Sequence, residues 1–106
     1  MFKAPRQKNA SRNGLSREGA EALALQGLTF LASDATRLTR FLTLTGIEPS
    51  ELRGWDGNPG IQAAVLDHLL ADESLLLVFA AESGTAPGDV APAQALLAGG
   101  ARAPTH

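Results

Sequence analysis

The chain has 106 residues, 44% of them hydrophobic, and a formal net charge of −2. This length fits one small domain with a single hydrophobic core. Because cysteine is absent, disulfides, thiolate metal sites and a cysteine nucleophile are excluded, and a reducing compartment is favoured. No apolar run approaches the ~18 residues of a membrane helix, and the polar segment 7–14 is unlike a secretory signal. We expect a cytoplasmic domain that binds no cofactor.

The charge is distributed unevenly along the chain. Residues 1–17 contain five basic and no acidic residues, whereas residues 18–106 contain four basic and eleven acidic ones. The first segment lacks helical periodicity, so we predict that residues 1–15 form a disordered basic arm. The arm either tethers the protein to nucleic acid, to an acidic protein or to a membrane surface, or is a solvated tail. Five dispersed charges are few for phosphate binding, which favours the tail.

Helix signals begin directly after the arm. Ser16 is a suitable N-cap for a first helix over 17–32, and Asp34 is one for a second helix that Gly46 ends. The apolar stripes are Leu23, Gly27, Phe30 and Leu31 in the first helix and Leu38, Phe41, Leu42 and Thr45 in the second, with Arg37 and Arg40 turned outward.

The second part of the chain also contains helix start and stop signals. Pro49 opens a short third helix that ends near Trp55, and a turn leads into a fourth helix over 59–70. Asp72 caps a fifth helix over 73–83, which is apolar on every side and is therefore predicted to lie in the middle of the domain. A last helix over 87–98, shortened or kinked by Pro92, precedes a disordered tail at 99–106.

A shift of 38 residues aligns the chain with itself. The matched pairs are Leu28 and Leu66, Leu31 and Leu69, Asp34 and Asp72, Leu38 and Leu76, Phe41 and Phe79, Gly46 and Gly84, and Pro49 and Pro87. The pattern indicates two copies of a three-helix unit packed with approximate two-fold symmetry. Coincidence is the alternative, since helical proteins reuse Asp caps and Gly stops.

No segment alternates polar and apolar residues, so no strand is predicted. The predicted fold is all-α, a compact bundle of five or six helices over residues 16–98, and the two pseudo-symmetric units are its expected internal arrangement.

The corner at residues 38–55 resembles a helix-turn-helix of the phage-repressor type. A DNA reader would carry hydrogen-bond donors on the second helix, whereas this corner contains Glu48 and Glu51 beside Arg53. The 38-residue shift repeats the corner at 84–90 without any basic residue. An architectural corner is the better interpretation.

The sequence offers no catalytic constellation. His68 follows Asp67, but neighbouring helical residues point about 100° apart, and the shift places His68 where Phe30 stands. We therefore interpret His68 as a half-buried packing residue. The only other histidine is His106, which leaves no metal site built on histidines, and the paired carboxylates lie in first helical turns, where the helix dipole favours them. We expect a protein that is not an enzyme and that has no metal or cofactor site.

Two apolar residues are candidate partner contacts. Trp55 either fills the groove between the two repeated halves or anchors a partner, and the first interpretation is preferred. Leu75, Leu76 and Leu77 are consecutive and cannot all face one core, so at least one of them is expected to contact the arm or a partner; Leu75 is the candidate.

The order of motifs from Leu28 to Leu76 resembles a known family. It reads Leu-x-Phe-Leu-Ala-x-Asp, then Arg-Phe-Leu-x-Leu-Thr-Gly-Ile-x-Pro-x-x-Leu-Arg, then Val-Leu-Asp-x-Leu-Leu-x-Asp-Glu-x-Leu-Leu. This order is similar to small bacterial proteins known only as a domain of unknown function. The resemblance covers residues 20–97 and implies a helical bacterial protein, without an activity, ligand or site.

Two functions remain open. The first is a non-enzymatic protein-interaction module, a monomer or weak homodimer with an unknown protein partner and no membrane association. The second is a weak nucleic-acid binder that uses the arm and the corner at 38–55. Its candidate contacts are Lys3, Arg6, Lys8, Arg12, Arg37, Arg40 and Arg53.

Deletion of residues 1–14 should abolish any nucleic-acid affinity and leave the fold intact. The deletion removes four of the nine basic residues, and the remaining acidic domain repels phosphate. Gel-shift titration at low salt and circular dichroism measure the two effects. Tight binding of duplex DNA by the truncated chain that is then lost in Arg53→Glu would instead assign DNA reading to the corner.

Overall fold

A computed structural model describes residues 15–101, and every regular element in that range is helical, which confirms the all-α prediction. The elements in chain order are α1 (Arg17–Ala32), α2 (Ala35–Thr45), a first 3-10 helix (Pro49–Gly54), α3 (Pro59–Leu70), α4 (Glu73–Ser83), a second 3-10 helix (Pro87–Asp89) and α5 (Val90–Ala101). The predicted arm at 1–15, except for Leu15, and the tail beyond Ala101 lie outside the described residues.

Side-chain caps fix the starts of α1, α2, α3 and α4, and those at Ser16, Asp34 and Asp72 were predicted. Ser16 accepts a hydrogen bond from the Gly19 amide at 2.9 Å, and Asn58 accepts one from the Ile61 amide at 3.2 Å. Asp34 and Asp72 cap α2 and α4 in the same way. Gly46 and Gly84 end these two helices with φ of 75° and 72°, a left-handed conformation that glycine adopts without strain.

Two predicted elements differ from their observed forms. The short third helix is a 3-10 helix that ends at Gly54, and the last helix begins as a 3-10 turn before α5. Pro92, predicted to shorten or kink this helix, lies in the first turn of α5, where a proline is tolerated because its missing amide hydrogen removes no intrahelical bond. The helix continues to Ala101, three residues past the predicted end.

The core is built on the crossing of α1 and α3. A Cβ added at Gly27 of α1 would lie 3.0 Å from Val65 Cγ1 and 3.2 Å from Leu69 Cδ1, so glycine at this position lets the side chains of α3 pack closely against α1. α5 packs against both helices and buries Val90, Ala93 and Leu97. The three helices form the central layer, and α2 and α4 lie at its sides.

The placement of α4 contradicts the sequence prediction. Although α4 is apolar on every side, it lies at the periphery and buries only Phe79 and Ala80. Leu76, expected in the core, is half-buried. The central position belongs to α3, which buries six of its twelve residues. Uniform apolarity therefore does not mark the central helix in this protein.

α2 fits its predicted stripe in part. Phe41 is fully buried, and Leu38 and Leu42 are half-buried against the core. Thr45, assigned to the stripe, is exposed, and its hydroxyl donates to the Phe41 carbonyl at 2.7 Å. This hydrogen bond satisfies the hydroxyl within its own helix, so burial of the side chain is unnecessary.

Contacts between α1, α2, α3 and α4 recur at the 38-residue spacing. The ring of Phe41 packs edge-on against His68 with centroids 5.2 Å apart, and the ring of Phe79 packs against Phe30 with centroids 5.5 Å apart. His68 and Phe30 are themselves 38 residues apart, so the two pairs are reciprocal. Gly27 and Val65, which meet at the helix crossing, have the same spacing.

Phe79→Ala should destabilise the domain by about 3–5 kcal/mol, because it opens a cavity at a fully buried ring. The matched control on the same helix is Leu77→Ala, which should cost less than about 1 kcal/mol because Leu77 is exposed. Urea denaturation of both variants measures the difference. Equal costs would place the core on the wrong face of α4.

Candidate functional site

The outward face of α4 is apolar and uncovered in the described chain. Leu77 is 49% exposed and Val78 is 39% exposed, on the side of the helix opposite Phe79 and Ala80. Positions 74, 77, 78 and 81 follow the helical spacing of a single stripe. The α4 face is defined here by that stripe and the two acids that border it: Glu73, Ser74, Leu77, Val78, Ala81 and Glu82.

The candidate partner contact Leu75 is not part of this face. Leu75 is half-buried and packs against the core, and Leu77 is the exposed member of the three consecutive leucines. The sequence argument that one of the three must face outward is confirmed, but the choice of Leu75 is wrong. The register of Phe79 determines the outcome, because residues two positions apart on a helix point in nearly opposite directions.

A groove of about 460 Å³ between α1 and α4 adjoins the α4 face. Glu82 belongs to both, and Leu25, which is 51% exposed, lies on the opposite wall. Near the end of α4 a hydrogen bond of 3.2 Å joins Thr85 to Gln26 of α1. The groove is lined by Leu25, Gln26, Thr29, Phe30, Ser33, Glu82 and Ser83.

The surroundings of the α4 face are acidic. Glu73 and Glu82 border the stripe at its two ends, and both are exposed. Residues 54–101 contain six acidic residues and no lysine or arginine. Within residues 15–101 the only ion pair joins Arg17 to Glu21 of α1, so the carboxylates of Glu73 and Glu82 are not neutralised by a basic side chain in that range.

α2 provides a comparison within the same chain. The residues 38 positions before Ser74, Leu77, Val78 and Ala81 are Thr36, Thr39, Arg40 and Thr43. All four are exposed, and they line a shallow depression on the outward side of α2. The two helices have matching caps, stops and buried phenylalanines, but the central positions of their outward faces are Thr39 and Arg40 on α2 and Leu77 and Val78 on α4. The exposed Leu44 also lines the depression on α2.

Trp55 is half-buried and packs against the core at the end of the first 3-10 helix. Its carbonyl accepts hydrogen bonds from the Gln62 side-chain amide at 2.8 Å and from the Asn58 amide at 3.1 Å. Gln62 is almost fully buried, and its Oε1 has no protein partner within the described residues. The sequence analysis did not predict the burial of Gln62. The only indication in the sequence is that this polar residue stands next to the apolar positions of α3.

The basic residues proposed for nucleic-acid contact do not converge. Arg37, expected to point outward, is half-buried and lies over the Phe30 ring at 4.4 Å, a cation–π contact that covers the ring. Arg40 lies in the threonine depression of α2, and Arg53 is exposed on the 3-10 helix. Lys3, Arg6, Lys8 and Arg12 lie outside the described residues.

The corner at 38–55 is closed by its own hydrogen bonds. Its second element is a 3-10 helix of six residues, and the Glu51 carboxylate accepts a bond of 2.7 Å from the Glu48 amide. A recognition helix inserts a longer α-helix into the major groove and presents donors there. The second element of the corner is shorter than such a helix, and its only basic side chain is Arg53, beside Glu51.

The surroundings of His68 displace the pKa of its imidazole. Burial against Phe41 lowers the pKa of the imidazole below its ordinary value of 6.5, and the positive charge of Arg40 lowers it further, while Asp72 and Asp67 oppose the effect. The half-buried packing role predicted for His68 is confirmed. Among the described residues no three His, Asp or Glu side chains gather into a metal site.

A family comparison agrees with this picture. The family described as "Protein of unknown function (DUF3572)" matches residues 17–100. The chain belongs to this family. No curated protein and no solved structure matches the chain. None of the helices within residues 15–101 has both the length and the apolarity needed to cross a bilayer.

His68→Phe should reduce the decrease in the free energy of unfolding that occurs on acidification. Because the folded-state pKa of His68 lies below 6.5, the unfolded chain binds the proton more readily, and stability falls as the pH drops from 6.5 towards the folded-state value. Phenylalanine cannot titrate. Urea denaturation at about pH 7.5 and 5.5 should show a smaller decrease for the variant. An identical decrease, or an imidazole pKa above 6.5 by NMR, would contradict the assignment.

Proposed function

We propose that this protein is a cytoplasmic, non-enzymatic protein-interaction module that uses the α4 face and the adjoining groove. The observation that carries the proposal is the exposure of Leu77 and Val78 on a helix whose buried side is already complete. Contiguous apolar surface on a small domain with a filled core marks an interaction site.

We also infer that segments 17–55 and 59–97 are two related units arranged about an approximate two-fold axis. The reciprocal pairs Phe41 with His68 and Phe79 with Phe30 support this, because a two-fold axis generates each contact twice. Gly27 and Val65 meet each other, as equivalent positions on an axis do. The fold accepts polar residues at the α2 counterpart of the α4 face, so folding does not account for Leu77 and Val78.

The groups that would be candidates for catalysis have structural partners. Asp34 and Asp72 accept hydrogen bonds from the backbone amides that begin α2 and α4. His68 packs its ring against Phe41 and is shifted towards the neutral form. These roles support a module without chemistry of its own.

The nucleic-acid alternative has less support. Arg37 is engaged with Phe30, and Arg40 and Arg53 are separate exposed residues on different elements. Residues 54–101 contain six acidic residues and no lysine or arginine, a charge that repels phosphate. The protein-interaction proposal uses the acidic surface, whereas the alternative has to overcome it.

The double variant Leu77→Thr with Val78→Arg transfers the residues of α2 onto α4 and should eliminate partner binding. Removing two exposed apolar side chains leaves the core intact, so the unfolding free energy should change by less than about 1 kcal/mol. The measurement is capture from native extract with quantitative mass spectrometry, followed by calorimetric titration of the purified captured protein. We expect its Kd to rise by about tenfold or more.

Leu44→Thr is the matched control, because Leu44 is 64% exposed on α2 and lies outside the α4 face. It should retain the partner with unchanged Kd. Equal loss of the partner in Leu44→Thr, or full retention in the double variant, would refute the α4 face as the interaction site.

A further inference from the structure

We infer that the element received by the α4 face is an amphipathic helix whose apolar stripe is flanked by lysine or arginine. The inference rests on the proposed function and adds the chemistry of the partner. Its basis is the combination of shape, charge and internal comparison at one surface of the molecule.

The shape of the surface favours a helix. The stripe of Leu77, Val78 and their neighbours extends over about two helical turns, roughly 10 Å. Beside it lies the groove between α1 and α4, with Leu25 exposed on the far wall. A helix laid along such a groove inserts its own residues at i, i+3, i+4 and i+7 between the two walls.

The charge of the surface defines the flanks of the partner. Glu73 and Glu82 are nine positions apart on α4, which separates their backbones by about 13 Å. Both carboxylates are exposed, and neither has a basic partner among residues 15–101. A basic residue at each end of the bound stripe would pair with them, and an acidic one would be repelled.

A second copy of this chain fits poorly. If two α4 helices paired antiparallel about the midpoint of the stripe, Glu73 of each copy would lie at the level of Glu82 of the other, on the opposite edge of the contact, because nine residues turn a helix by about 180°. Parallel pairing would place each carboxylate at the level of its own copy, again on the opposite edge. Both arrangements surround one apolar contact with four carboxylates and no basic side chain from residues 15–101, which disfavours self-association.

The polar counterpart on α2 makes the assignment specific to α4. The α2 positions equivalent to Leu77 and Val78 are Thr39 and Arg40, and the position equivalent to Glu82 is Leu44. α2 thus has neither the apolar stripe nor the acid at its end. A basic amphipathic helix should therefore distinguish the two sides of the bundle.

Synthetic peptides test the inference directly with the full-length chain. The first peptide has about 18 residues, with leucines spaced at i, i+3, i+4 and i+7 so that they form one stripe on the helix, and with lysines on both sides of that stripe. The second carries glutamates in place of the lysines, and the third has the composition of the first in an order without a stripe. Fluorescence anisotropy gives each Kd. We expect the first peptide to bind about tenfold more tightly than either of the others.

Two double variants separate the apolar and the electrostatic contributions of the α4 face. Leu77→Thr with Val78→Thr removes apolar surface without changing charge and should weaken the first peptide by about tenfold. Glu73→Gln with Glu82→Gln removes only charge and should weaken it by about threefold and reduce its salt dependence. Leu44→Thr should bind like the wild type.

Three results would overturn the inference. One is equal affinity for the first peptide and for the third, which has the same composition without a stripe. This result would show that binding depends only on general charge attraction. Another is equal affinity of the wild type and Leu77→Thr with Val78→Thr. The third is a dimer in sedimentation equilibrium that this variant abolishes, which would assign the face to a second copy. If the peptides fail while a captured protein still depends on Leu77 and Val78, the proposed function stands and the basic-helix inference falls.

Discussion

The close crossing of α1 and α3 at Gly27 is the constraint on which the rest of the structure depends. With a Cβ position only 3.0 Å from Val65 Cγ1, any larger residue at position 27 would press against the Val65 and Leu69 side chains and require them to shift. The crossing sets the spacing of the central layer, which α5 completes. It also fixes the sites at which Phe41 and Phe79 meet the rings of His68 and Phe30.

The consequence for function is that α2 and α4 have corresponding positions but different outward faces. Each helix is attached by a fully buried phenylalanine, begins at an aspartate cap and ends at a left-handed glycine. Since α2 meets these structural requirements with threonines and an arginine facing outward, the exposed Leu77 and Val78 call for another explanation. The proposed partner surface would supply one, and its acidic surroundings would favour a basic partner.

Local signals in the sequence predict much of the fold. The starts of α1, α2 and α4 follow from caps that act within three residues, and their ends follow from glycine or turn residues. The packing role of His68 was also predictable, because the 38-residue shift relates it to Phe30. These features depend on nearby residues or on the 38-residue self-alignment, both of which are visible in one sequence.

The tertiary placement of α4 and the details of the candidate site were not predictable in this way. An apolar helix has no periodicity from which to choose its buried face, so the sequence could not distinguish Leu75 from Leu77. The contact of Arg37 with Phe30 and the burial of Gln62 beside Trp55 depend on residues brought together by folding. The neighbouring helices alone determine which side of α4 is buried and which is exposed, so the candidate site on α4 becomes visible only in the structure.

The most direct test of the two-fold arrangement is an exchange of the residues at its centre. Gly27→Val alone should destabilise the domain by about 1–3 kcal/mol through overpacking, and Val65→Gly alone should destabilise it by opening a gap. If Gly27 and Val65 are equivalent across an axis, combining both substitutions restores the pair with its members reversed. Urea denaturation should then show the double variant more stable than the sum of the single effects by at least about 1 kcal/mol. A double variant that is as unstable as that sum would contradict the account.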